Sequence, residues 1–210
     1  MSGLPEAQFE PGSRGRVLKN LLGIKNQSEM DRLEAVALKQ AEEVFFSMYD
    51  QGHCFTADDI CRMHKIWLGK IYSWAGNYRQ VNISKGSFDF AAAAHIPQLM
   101  NTFEHDHLSV YTPCSFKDQK QVVRALSDVH VELILIHPFR EGNGRIARLL
   151  TILMALQAGL PPLNFSIITG KKKEEYFTAV RAGMKRDYMP MEEIFGEVLE
   201  STISGREDKK

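Results

Sequence analysis

The sequence predicts a mainly α-helical domain carrying one short β-hairpin. Apolar residues recur at three- and four-residue spacing along most of the chain, capping residues stand before those runs, and apolar–polar alternation is confined to residues 78–90. The first helix is expected over 28–52, with Ser28 as N-cap, Met30, Leu33, Ala37, Ala41, Val44 and Phe45 on one stripe, and Gly52 as its stop. A second, over 56–72, begins at Thr56 and places Asp58 and Asp59 in its first turn, where carboxylates complement the positive end of the helix dipole. Residues 78–90 set Val81 and Ile83 before a Ser-Lys-Gly-Ser turn and Phe88 and Phe90 after it, a pattern that fits a hairpin or an irregular connection. Helical spacing returns over 96–111 and 115–136. In the latter, Val122, Leu126, Val129, Leu133 and Ile136 form a stripe, and the second half is apolar nearly all round, so this helix is expected to run through the core.

The 210 residues suit one domain, here taken as 15–203, with a flexible N-terminal segment (1–14) and a charged tail (204–210). Lysine plus arginine equal aspartate plus glutamate at 26 each, a balance that argues against a nucleic-acid or membrane-surface partner. The N-terminus has no apolar leader, and the apolar runs of about ten residues are too short to span a bilayer. Cys54, Cys61 and Cys114 read as reduced thiols of a cytoplasmic protein. Cys54, Cys61 and His64 lack a fourth ligand and are not read as a metal site.

Between two apolar helical runs stands His-Pro-Phe-Arg-Glu-Gly-Asn-Gly-Arg-Ile-Ala-Arg, residues 137–148. Gly142 and Gly144 let another group approach the main chain closely, and a helix opening near Asn143 or Gly144 points its free N–H groups into the turn. Such a helix start is an anion site. Arg145 and Arg148 share a face of that helix. Two cations in a first turn oppose the dipole, and a phosphate reverses the sign of that interaction through charge-assisted hydrogen bonds. Glu141 would repel the phosphate unless a divalent cation such as Mg²⁺ lay between them. His137, at the end of the apolar helix, faces the same turn as a candidate general base. His130, two turns earlier, fits core packing or support of that site.

These residues resemble the signature of the Fic family, H-x-F-x-[DE]-G-N-G-R-x-x-R, at each of its fixed positions: His137, Phe139, Glu141, Gly142, Asn143, Gly144, Arg145 and Arg148. Residues 18–24, 74–86 and 176–192 also look like the family's lead-in, flap entry and closing helix. The resemblance implies the all-α Fic fold, a helical bundle with one short β-hairpin flap. It implies transfer of AMP from ATP to a Tyr, Ser or Thr hydroxyl of a target protein. His137 would take the hydroxyl proton and Glu141 would hold Mg²⁺. Gly142, Asn143 and Gly144 would cradle the phosphates, Asn143 at the α-phosphate, while Arg145 and Arg148 would grip the β- and γ-phosphates. The flap residues Val81, Asn82, Ile83, Ser84, Lys85 and Gly86 would seat the target segment. A Fic-fold transferase using another nucleotide or donor, or a nucleotide sensor without turnover, remain the alternatives. The family's inhibitory [ST]-x-x-x-E-[GN] helix has no full match here; the nearest, Ser2 to Glu6, is followed by Ala7. This departure implies toxin-like activity controlled by a separate small antitoxin-like chain, or no inhibition of this kind.

Overall fold

The computed structural model describes residues 3–86 and 88–207. Helix α1 spans Gln27–Met48 and α2 spans Ala57–Leu68. Asn26, not Ser28, caps α1: its extended backbone lets Oδ1 accept the Glu29 N–H at 3.1 Å, which draws Ser28 into the first turn. The helix also stops short of Gly52, because Tyr49 leaves helical geometry and packs its ring 5.0 Å from that of Phe55. Thr56 caps α2 as expected, in a capping box with Asp59, and α2 ends at Leu68.

The 78–90 segment is a hairpin of β1 (Ser84–Lys85) and β2 (Phe88–Asp89), with Ser84 opposite Asp89 and Lys85 opposite Phe88. The turn is tighter than the sequence suggests, since Ser84 and Lys85 belong to the strand and Gly86 turns at φ +61°; Ser87 lies outside the described residues. Helix α3 (Ile96–Phe103) runs through a π-turn, Glu104–Leu108, into α4 (Ser109–Tyr111). Helix α5 (Gln119–Ile136) starts at the N-cap Asp118 and fulfils the core expectation, with Val122, Leu126, Val129, Leu133 and Ile136 all at most 5% exposed. It packs against α6 (Asn143–Gln157), α7 (Gly170–Ala182) and α8 (Met189–Glu207). Helix α8 runs on through Glu207, into the residues set apart as a charged tail, and residues 208–210 lie outside the described ones.

Residues 3–14 lie folded onto the domain rather than apart from it. Phe9 bridges Leu18, the Glu6 carboxylate accepts the Gln80 N–H at 2.6 Å, and the Glu6 carbonyl accepts the Arg140 Nε–H at 2.9 Å. The buried carboxylate is met by an N–H of the flap entry, and the backbone carbonyl by Arg140 of the 137–142 loop.

Candidate active site

His137 closes α5 in the left-handed region, at φ +54° and ψ +60°. Its Nδ1 lies 3.1 Å from the Ile134 carbonyl. A carbonyl only accepts, so Nδ1 carries the proton and Nε2 presents a lone pair. The Phe90 ring, at the foot of the hairpin, stacks on the imidazole with centroids 3.6 Å apart. Burial is the main reason the imidazole pKa is lowered to about 4; the Ile134 hydrogen bond opposes the shift and the nearby cations Arg79 and Lys85 add to it, so His137 is neutral at physiological pH.

The loop from His137 to α6 is pinned from both sides. Phe139 is fully buried and stacks on His64, centroids 3.9 Å apart. His64 accepts the Gly76 N–H at Nδ1, so its Nε2–H donates to the Glu141 carbonyl at 3.1 Å. Asn143 spends its side chain on the loop itself: Oδ1 accepts the Phe139 N–H and Nδ2 donates to the Phe139 carbonyl, both at 2.8 Å. Its side chain braces the loop, and one Nδ2–H stays unused among the described residues. The anion-directed groups at this point are the N–H groups of Asn143 and Gly144, the first two of α6, which have no acceptor among the described residues. Gly142 must be glycine, since its φ is +84° and a Cβ there would lie 2.6 Å from the Trp67 ring. Gly144 has no such need; a Cβ there would meet open space.

The two motif arginines part company. Arg145 Nη1 makes a 2.7 Å ion pair with the buried Glu34 of α1, its Nη2 lies 3.3 Å from Glu141, and its guanidinium sits 4.6 Å over the Trp67 ring. Glu34 is held in turn by the Tyr72 hydroxyl at 2.7 Å. Arg148 has no carboxylate within salt-bridge distance among the described residues; it lies over Phe165 and Tyr176, and its Nε is buried without a partner. Of the two motif arginines, Arg148 alone is without a carboxylate partner among the described residues.

His137, Glu141, Gly142, Asn143, Gly144, Arg145 and Arg148 line one cleft of about 1200 Å³, with Asn82, Ile83, Ser84, Lys85 and Gly86 on the hairpin side. Val81 does not line it; its carbonyl is taken by Arg79. The opposite wall is α7, which brings Lys173, Tyr176, Phe177 and Arg181. Of the run Lys171–Lys173, Lys171 and Lys172 pair with Glu175, and Lys172 also with Glu197, whereas Lys173 faces the cleft. Glu141 is the sole carboxylate among the cleft's described lining residues. Glu34, His64, Arg79 and Lys173 were not read as site residues from the sequence. Glu34 alone left a signal there, as a carboxylate four residues after Met30 on a stripe that otherwise reads apolar.

A helical bundle with this loop, hairpin and cleft is the architecture of the Fic fold. The Fic/DOC family model matches residues 54–155, and the chain belongs to the Fic family. The protein adenylyltransferase Fic of Nematostella vectensis is 28% identical over 193 residues, 89% of this chain and 42% of that protein. The protein adenylyltransferase VbhT of Bartonella schoenbuchensis is 31% identical over 153 residues, 68% of this chain and 30% of that one. The chain spans less than half the length of these curated relatives. Among solved structures, the N-terminal Fic domain of an effector from Bartonella sp. AR 15-3 matches with a TM-score of 0.75 at 20% identity, covering 94% of this chain and 93% of that one. The BepC protein of Bartonella tribocorum, with bound AMPPNP, matches with a TM-score of 0.73 at 22% identity over 93% and 97% of the two chains. Among the described residues no helix is long and apolar enough to cross a membrane.

Proposed function

We propose that this chain is a protein adenylyltransferase, moving AMP from ATP to a Tyr, Ser or Thr hydroxyl of a target protein. The observation that carries this reading is the pairing of a neutral His137, its Nε2 free, with an anion site that nothing among the described residues satisfies: the N–H groups of Asn143 and Gly144, and Arg148 with its Nε unpartnered. In the reaction the target hydroxyl oxygen bonds to the α-phosphorus, the bond to the β-phosphate oxygen breaks, pyrophosphate leaves, and the hydroxyl proton passes to His137 Nε2. The hairpin would hold the target segment by main-chain pairing along its short strands, bringing the hydroxyl in line. Arg148 and Lys173 suit the outer phosphates, while Arg145 serves mainly to fix Glu141 and the helix start.

Glu141 fits a shared Mg²⁺ rather than a caged one. It is half exposed and is the single carboxylate among the cleft's described lining residues, and among the described residues no group of three or more acidic, histidine or cysteine side chains could hold an ion alone. Glu141 would hold Mg²⁺ together with the substrate, and the ion would supply charge neutralisation as pyrophosphate leaves. Control by a separate antitoxin-like chain is supported by the unpaired Arg148, on which a supplied carboxylate would compete with phosphate. Incubation with α-labelled ATP, with and without cell lysate, tests the activity. Label on protein in the wild type and none with His137→Ala is the expected result; a γ-labelled ATP that marks protein instead would replace the proposed chemistry with phosphoryl transfer.

A further inference from the structure

Arg79 is 1% exposed and lies outside the 137–148 motif, yet its guanidinium joins the hairpin to the end of α5. Its Nε–H donates to the His137 carbonyl at 2.8 Å and one Nη2–H reaches the Ile136 carbonyl at 3.4 Å. Nη1–H donates to the Val81 carbonyl at 2.7 Å, just before β1, and Nη2–H to the Ala91 carbonyl at 2.6 Å, just after β2. Its own backbone N–H donates to the Pro138 carbonyl at 2.8 Å. One planar cation thus ties the two feet of the hairpin to the left-handed residue that carries the base. A non-glycine residue in that region costs about 1–2 kcal/mol and needs its neighbours to hold it there. The buried charge has the buried Glu6 carboxylate as its nearby counter-charge.

We infer that Arg79 is a positioning residue that couples the seating of a target on the hairpin to the orientation of His137. The hairpin's strands are two residues each, too short to fix their own direction, so their feet set it. Phe90, one residue before Ala91, stacks on the imidazole, so a displacement at that foot reaches the base both through the ring and through the His137 carbonyl. Lysine cannot replace this arrangement, because an ammonium directs its donors from one point and cannot span carbonyls on three sides.

The inference rests on the adenylyltransferase reading for its kinetic arm only. Arg79→Lys keeps the charge and should keep the fold, bind a non-hydrolysable ATP analogue within about twofold of wild type, and lose about 10–100-fold in kcat, the scale expected of a misplaced base. Independently of any activity, imidazole ¹⁵N NMR should show His137 in the Nδ1–H tautomer in the wild type. In Arg79→Lys that signal should change together with faster amide hydrogen exchange over residues 81–91. Arg79→Met, of similar length without donors, serves as the second variant. An unchanged His137 signal in a folded variant overturns the inference even if the wild type transfers nothing. A loss of ATP-analogue affinity matching the loss of kcat places Arg79 in nucleotide binding instead. Failure of both variants to fold makes it a stability residue alone, which also overturns the positioning role.

Discussion

Two glycines two residues apart separate what the fold requires from what a ligand requires. Gly142→Ala should cost stability, about 1 kcal/mol for the left-handed backbone and a further 1–3 kcal/mol for the overlap with Trp67. Gly144→Ala should hold or slightly raise the melting temperature, since the position is helical and open, while weakening a non-hydrolysable ATP analogue in calorimetry. Equal analogue affinity in wild type and Gly144→Ala would remove the phosphate-approach role. His137 offers a second test at this scale. Its imidazole is lowered to about 4 mainly by burial, so the acid limb of kcat/KM, which reports the free enzyme, should begin only below about pH 5.5. A limb centred near the ordinary histidine value, about 6.5, would show that the base works from a solvated position. These side chains were legible in the sequence because one twelve-residue stretch carries them all. Glu34 and Arg79 were not, because their meaning lies in partners at 145 and at 81, 91 and 137, brought together only by the fold.

Helices were legible by existence and the caps only in part. Thr56 and Asp59 form their box within one turn, a purely local event, whereas Asn26 outcompetes Ser28 through a choice between two good caps that spacing cannot make. The hairpin is shorter than its alternation because the Val81 and Ala91 carbonyls accept from Arg79 rather than from N–H groups across the hairpin. The N-terminal segment was the element least legible: nothing local in residues 3–14 says that Glu6 will be buried against residues 80 and 140. Deleting residues 1–14 removes the Gln80 partner and the counter-charge of Arg79. Transfer should therefore fall, and exchange of amides 79–91 should quicken. A strong rise in activity in the truncated, folded chain would instead mark the segment as an inhibitor.

Across the whole molecule, the site has been built by burying imidazoles, and this has a thermodynamic signature. His64 and His137 are lowered to about 4 and His130 to about 3, in each case chiefly by desolvation. His64 holds the Glu141 carbonyl, His130 meets the Tyr176 hydroxyl at 2.8 Å beneath the cleft, and His137 is the base, so all three sit in or under one site. Their folded pKa values lie below the unfolded value of about 6.5. Between those limits the unfolded chain binds protons that the native chain refuses, so stability is complete above about pH 6.5 and declines as pH falls toward 4. Each such histidine contributes a slope approaching about 1.4 kcal/mol per pH unit in that window, and the three act in the same sense. Asp128 and Glu42, whose carboxyls burial pushes up, act in the opposite sense in the acid range, so the comparison belongs between pH 7 and pH 5. Urea unfolding followed by circular dichroism should show stability falling progressively from pH 7 to pH 5. His130→Gln, which removes one titrating ring while leaving a side chain able to reach Tyr176, should lower stability at pH 7 yet reduce that slope by about a third. A flat profile in the wild type, or an unchanged slope in His130→Gln, would mean that these imidazoles are reached by water in the native state, and the neutral, desolvated base on which the mechanism depends would go with them.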